Sequence, residues 1–205
     1  MSNLANDVKQ YHNLVSGGGW GGRYHIGLHK KTVGILGLGR IGSAFARRCR
    51  GFEMQILGYD PLIPKKALLS MGIKPVSLES LLKNSDFVSI HAPRAHETEN
   101  LINETTLALM KPTGFLINTS RGDMIDEVAL KNALSTGIIA GAGLDVFEFE
   151  PQVSKQLMSM ENTVLMPHAG SATHTTRNSM VELACENITN YLLYNVKDNL
   201  VNKTL

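Results

Sequence analysis

Three side chains stand out for what their chemistry allows. Arg121 closes the stretch Ile117-Asn118-Thr119-Ser120-Arg121-Gly122, just past the end of an apolar run. Its planar guanidinium can hold a carboxylate and an adjacent carbonyl oxygen in one fork. His168 follows the last apolar run, and a histidine side chain can both give and take a proton, which suits acid–base work. Glu150, in Glu148-Phe149-Glu150-Pro151, is the type of group that hydrogen-bonds the far nitrogen of an imidazole, fixing its tautomer and raising its pKa. Each also has a plainer reading. Arg121 has Asp123 and Asp126 nearby as ion-pair partners, Glu150 lies in an acidic surface stretch, and a histidine after a proline in a loop is commonly structural.

A second constellation points to a phosphate-bearing ligand. Gly37-Leu38-Gly39-Arg40-Ile41-Gly42 is a G-x-G-x-x-G placed between a strand pattern and a helix pattern, which is the context this motif requires. Gly37 allows the tight turn, Gly39 lets a pyrophosphate approach the backbone, and Gly42 lets helix and strand pack closely. The helix start then turns its N–H groups toward the phosphate charge. Asp60 lies eighteen residues past Gly42, at the end of the second run, where a carboxylate accepts from the adenosine ribose hydroxyls of NAD and repels the 2′-phosphate of NADP. The alternative is a solvated turn aspartate before Pro61.

These residues need a scaffold, and the hydrophobic rhythm supplies one. Short apolar runs at 32–36, 54–59, 87–90, 114–118, 140–144 and 163–166 predict strands. Helix patterns lie between them at 41–50, 78–83, 103–109 and 126–135, with a loop-rich stretch at 147–162 and a last helix over 175–194 carrying Val181, Ala184, Ile188 and Leu192 on one face. The runs are apolar on both faces, as parallel strands covered on each side are. The pattern predicts an α/β fold, a doubly wound parallel sheet of Rossmann type. Leu4, Val8, Tyr11 and Val15 predict one amphipathic helix over the first sixteen residues, ended by Gly17-Gly18-Gly19 and without an evident home on the sheet.

Five stretches together go beyond a generic fold: His91-Ala92-Pro93, 107–112 (Leu-Ala-Leu-Met-Lys-Pro), 117–122, 143–151 (ending Glu150-Pro151) and 167–173 (Pro-His-Ala-Gly-Ser-Ala-Thr). In this order they resemble the D-2-hydroxyacid dehydrogenase family, over about residues 20–200. The short segment between Glu150 and His168 looks most like the glyoxylate/hydroxypyruvate reductase branch. The resemblance implies Arg121, Glu150 and His168 as catalytic residues, backbone contacts to the pyrophosphate from Arg40 and Ile41, and a cofactor groove lined by Pro93, Thr119 and Gly170. It implies a contact from Asp145 to the nicotinamide carboxamide. Ala169 stands where the family often has a bulkier apolar residue.

The resemblance further implies NAD as cofactor, a small 2-oxo or 2-hydroxy acid as substrate, and a homodimer in which residues 1–19 form a linker or dimerisation arm. Residues 20–178 are then the dinucleotide-binding domain, and 179–205 a helix and tail returning to a substrate domain that is mostly absent. These 205 residues alone are expected to bind NAD and turn over 2-oxo acids poorly. The family also contains corepressor-like scaffolds, so a non-enzymatic NAD(H) sensor is the competing reading.

The formal charge of +2 gives no reason to expect a nucleic-acid or membrane-surface partner. The N-terminus lacks an apolar signal core and no run has membrane-spanning length, so a cytoplasmic location is expected. Arg47, Arg48 and Arg50 sit where a helix should end and read as a solvated last turn. Cys49 and Cys185 fall in helical patterns and read as two buried thiols. The remaining histidines (His12, His25, His29, His91, His96, His174) do not cluster with carboxylates, and no metal is expected.

Overall fold

Each apolar run becomes a strand because β-branched and aliphatic residues fill a pleated surface buried on both faces. A computed structural model describes residues 1–22, 24–197 and 199. The chain divides into two units, Met1–Pro167 and His168–Leu205. In the first, helices α1 (Ser2–Ala5) and α2 (Val8–Ser16) precede strand β1 (Thr32–Leu36). There follow α3 (Arg40–Cys49), β2 (Gln55–Tyr59), α4 (Lys65–Ser70), β3 (Lys74–Pro75), α5 (Leu78–Asn84) and β4 (Phe87–Ile90). Next come α6 (Glu104–Leu107), β5 (Phe115–Asn118), α7 (Glu127–Ser135), β6 (Gly141–Leu144), α8 (Lys155–Ser159) and β7 (Thr163–Leu165).

The seven strands are all parallel, in the order β3-β2-β1-β4-β5-β6-β7. Side chains alternate between two cores. Val33, Ile35, Ile56 and Phe87 pack with Ala46 and Cys49 of α3, while Leu36, Val88, Ile90 and Leu116 pack with Leu81, Leu82, Leu130 and Ala133 from the other layer of helices. A fully buried Leu, Ile or Phe contributes roughly 1.5–3 kcal/mol. These runs therefore fix the sheet, and the sheet fixes where its loops emerge. β1 and β4 are neighbours whose following connections leave in opposite directions, so a crevice opens between their C-terminal ends, the usual ligand position in such sheets.

The structure departs from the sequence expectations in several places. The first sixteen residues are not one helix: Asp7 adopts a left-handed conformation (φ 49°) and separates α1 from α2. Asn6 and Asp7 are residues whose short polar side chains favour turns over helix interiors. Nor does this segment lack a home. Ala5 is buried and α1 packs on β6 and β7, whereas α2 buries no residue. Strand β3 and helices α4 and α8 were not expected, since two to six residues are too few to show a period. The helix expected at 103–109 is confined to α6.

The second unit contains α9 (His174–Tyr194), capped by Thr173, whose hydroxyl accepts from the Thr176 N–H at 3.1 Å. Cys49 is buried but Cys185 is exposed on this helix, correcting the expectation of two buried thiols. The expected tail over 200–205 lies outside the described residues. Among the described residues no helix is long and apolar enough to cross a membrane.

Candidate active site

The glycine turn sits at the mouth of the β1/β4 crevice, and its three glycines differ physically. Gly37 has φ +85°, a left-handed conformation costly for any other residue, and a Cβ there would lie 2.5 Å from the Ala92 nitrogen. A Cβ on Gly42 would collide with the Gly37 carbonyl oxygen, so α3 folds back onto the turn only because that atom is missing. A Cβ on Gly39 would meet nothing within 4 Å. Gly39 is the N-cap of α3 and offers no side-chain acceptor. Open space in front of a helix N-terminus is what a pyrophosphate requires, so the residues present fit a dinucleotide. Arg40 and Ile41, the first residues of α3, are exposed.

Asp60 does more than terminate β2. Its Oδ2 accepts from the Leu38 N–H at 2.8 Å and its Oδ1 from the Leu62 N–H at 2.9 Å. The carboxylate thus ties the glycine turn to the end of β2, and with about four lone-pair positions it retains capacity for a ribose hydroxyl.

Below the turn, His91 is held between the Phe45 ring, 4.9 Å away centre to centre, and Ser89, whose Oγ lies 2.9 Å from Nε2. Burial pushes the His91 imidazole down to about 4. In the unfolded chain it takes up its proton near its ordinary value, so between about pH 6.5 and 4 the unfolded state binds more protons. Stability is then lost as pH falls through that window, by at most about 3 kcal/mol at its lower end. Urea unfolding at pH 7 and 4.5 should show the loss, and His91→Gln should flatten it. An equal pH response in the variant contradicts this account.

The loops after β4 and β5 are tied together. Asn118, fully buried, donates from Nδ2 to the Arg121 carbonyl at 2.7 Å and accepts from the Ser120 N–H at 3.0 Å. Ser120 donates from Oγ to the Ala92 carbonyl. Asn118 and Ser120 fix the backbone that carries Arg121, and neither was singled out from sequence, although both lie inside the quoted stretch 117–122. The simple ion-pair reading of Arg121 does not hold. Asp123 is bound by Arg94 (Nε–Oδ2 2.6 Å), and Asp126 accepts from the Val128 and Ala129 N–H groups at the start of α7. The exposed Arg121 guanidinium donates to its neighbour, the Ser120 carbonyl, at 2.7 Å. It stands at the C-terminal edge of the sheet, available to an incoming anion.

Thr119 and Asp145 meet at one cavity of about 170 Å³ beyond the ends of β5, β6 and β7, walled also by Met1, Leu4, Val164 and Met166. Asp145 is buried to 8% exposure and its N–H donates to the Asn118 carbonyl at 2.9 Å. Pro93 is exposed on the β4 loop, and its carbonyl accepts from the Thr98 hydroxyl at 2.9 Å. Glu150 is exposed at the end of the turn after β6, where its Oε1 accepts from the Phe147 N–H at 2.9 Å. His168 and Gly170 open the second unit. His168 has φ +54°, a left-handed conformation uncommon for a non-glycine residue. Such outliers are enriched at functional sites.

A profile of the D-isomer specific 2-hydroxyacid dehydrogenase NAD-binding domain matches residues 1–170. The chain is 49% identical over 177 residues to a glyoxylate reductase of Thermococcus litoralis, covering 86% of this chain and 54% of the relative. It is 42% identical over 208 residues to a glyoxylate/hydroxypyruvate reductase B of Serratia proteamaculans, covering 98% of this chain and 64% of that one. Among solved structures, a D-lactate dehydrogenase from Aquifex aeolicus complexed with NAD and lactic acid superposes with a TM-score of 0.88 at 30% identity, over 97% of this chain and 66% of that one. The chain spans about half the length of the glyoxylate reductases it matches.

Proposed function

The chain belongs to the D-isomer specific 2-hydroxyacid dehydrogenases, whose NAD-binding domain it carries, and from that premise we propose that it serves hydride transfer between NAD(H) and a small 2-oxo or 2-hydroxy acid such as glyoxylate or hydroxypyruvate. The observation that carries the reading is the pairing, on one edge of one sheet, of an open phosphate-binding turn at Gly37–Gly42 with an exposed Arg121 whose neighbouring carboxylates are engaged elsewhere.

When bound, NADH supplies the hydride for the carbonyl carbon. The rest falls to this chain. Arg121 grips the substrate carboxylate and carbonyl oxygen, orienting the carbon and stabilising charge as it grows on the oxygen. His168 is assigned the proton that goes to that oxygen, and Glu150 the carboxylate role of orienting an imidazole. Asp145 and Thr119, at their shared cavity, would hold the carboxamide end of the cofactor. Pro93 would line its groove, and the Arg40 and Ile41 N–H groups would meet the pyrophosphate.

Loss of NADH absorbance over a panel of glyoxylate, hydroxypyruvate and pyruvate tests the reading. Consumption with at least one of them is expected once these residues are joined to the remaining part of a relative. Saturable NADH binding with no consumption, in these residues and in a longer form alike, identifies a sensor or scaffold instead.

Asp60 implies NADH over NADPH. Dissociation constants should differ by about tenfold or more, since a 2′-phosphate would face a carboxylate. Asp60→Ser should narrow the ratio while also weakening NADH, because the Leu38 tether is lost. Equal affinities in the parent contradict the assignment.

The exposed Val8, Leu14 and Val15 of α2 support a homodimer joined through this domain, an isologous two-fold contact being the commonest arrangement. Light scattering at micromolar protein should give twice the chain mass, and a monomer overturns this.

A further inference from the structure

Glu127 is an acidic residue buried to 8% exposure that the hydride-transfer scheme does not use. It is the first residue of α7, and the helix does not need it as a cap. Asp126 already accepts from the Val128 and Ala129 N–H groups at 2.9 and 3.0 Å. Glu127 instead reaches across 21 residues of sequence and accepts from the Glu148 N–H through Oε1 at 2.8 Å. Burying a carboxylate is costly unless helix dipole and charge-assisted bonds offset it, and here it sits at a helix N-terminus with an N–H in reach.

The segment it grips is the turn after β6, which begins at Asp145 and ends at Glu150. Several contacts hold that turn. The Asp145 N–H donates to the Asn118 carbonyl, and the Phe147 N–H donates to Glu150. The backbone at Gly122 passes so close that a Cβ there would strike the Phe147 carbonyl group. Glu127 adds a hold at the Glu148 N–H. Burial first, then the charges of Glu127 and Asp126, push the Glu148 carboxyl above its ordinary value, which marks how closely these acids crowd the turn.

We propose that Glu127 is a positioning residue: by holding the Glu148 N–H it sets the turn from Asp145 to Glu150, and through Asp145 it governs how the nicotinamide end of the cofactor is seated. The proposal rests on the assignment of Asp145 to the carboxamide. Its consequence is selective. The adenosine and pyrophosphate ends meet Asp60 and the glycine turn, on other loops, so a defect at Glu127 should be felt by NADH and not by ADP-ribose, which has no nicotinamide.

The experiment is a pair of titrations, NADH and ADP-ribose, with the parent chain and with Glu127→Leu, Glu127→Asp and Glu127→Gln. Leucine removes the acceptor and aspartate draws it back by one methylene. Both should weaken NADH about tenfold while ADP-ribose changes less than about twofold, and glutamine, which keeps a carbonyl oxygen in place, should recover most of the loss. The Glu148 N–H should also lose hydrogen-exchange protection in the leucine and aspartate variants. Equal weakening of both ligands makes Glu127 a general structural residue and overturns the proposal, as does no change in either. Asp145→Ala separates the two layers. If it too leaves the preference for NADH over ADP-ribose untouched, the carboxamide assignment fails and takes the Glu127 role with it. If Asp145→Ala abolishes that preference and the Glu127 variants do not, only the Glu127 role fails.

Discussion

Gly39→Val is expected to cost the fold no more than about 1 kcal/mol, valine being a poor N-cap, and to weaken NADH binding by about a hundredfold or more. Apart from its chain neighbours, a Cβ at Gly39 meets nothing within 4 Å among the described residues, so the added methyl groups stand in the space in front of α3. They occupy the path of the pyrophosphate and keep it from the helix N–H groups, contacts whose loss is worth on the order of 3 kcal/mol. Gly42→Ala provides the contrast. There the new atom runs into the Gly37 carbonyl, so the turn or the helix must shift, and stability should fall by about 1–3 kcal/mol along with binding. Thermal unfolding and NADH titration of the two variants separate steric exclusion of the ligand from damage to the fold. A Gly39→Val protein that binds NADH like the parent contradicts the placement of the pyrophosphate.

The second large effect concerns turnover. Arg121, Glu150 and His168 are all exposed, and the chain spans about half the length of its glyoxylate reductase relatives. A carboxylate gripped by an exposed arginine in water gains little, and a reacting geometry open on one side is not held. These 205 residues are therefore expected to reduce glyoxylate at least about a thousandfold more slowly than the same residues joined to the remaining part of the Thermococcus litoralis relative, a difference of about 4 kcal/mol in barrier. In the joined protein Arg121→Met should remove most of the gain, because the fork that binds and orients the substrate is gone. Comparable rates with and without the added part contradict this account.

Much of the scaffold was legible because it is repetitive. Runs such as 33–36 and 87–90 are buried on both faces, so their composition alone marks parallel strands, and the glycine turn is legible because each glycine has a separate steric reason to be there. Arg121, Glu150 and His168 came from motif order, which places residues on loops and says nothing about their partners. That Asp123 belongs to Arg94 and Asp126 to the cap of α7, leaving Arg121 to its neighbouring carbonyl, depends on loop geometry with no sequence period.

The elements that escaped notice are short or broken. Asp7 turns the chain with one left-handed residue inside an unbroken apolar stripe, and α8 needs only Leu157 to anchor it. The bracing residues escaped for a different reason. Glu127 binds a backbone group 21 residues away, and Asn118 uses its side chain to hold a loop at its own strand end. The first contact exists only once the sheet has aligned β5 with β6, and the second lies within a loop that has no sequence period. In the sequence His91 belongs to a motif and to no metal cluster, whereas its packing under the glycine turn makes it an acid-sensitive point of the fold.

The most direct test of the central claim, that this chain builds a nicotinamide dinucleotide site at the β1/β4 crevice, is calorimetric titration of NADH into the 205 residues, with ADP-ribose as competitor. The account predicts one saturable site per chain, displaced by ADP-ribose and lost in Gly39→Val. Absence of a saturable signal, or binding indifferent to both the competitor and the substitution, would contradict it.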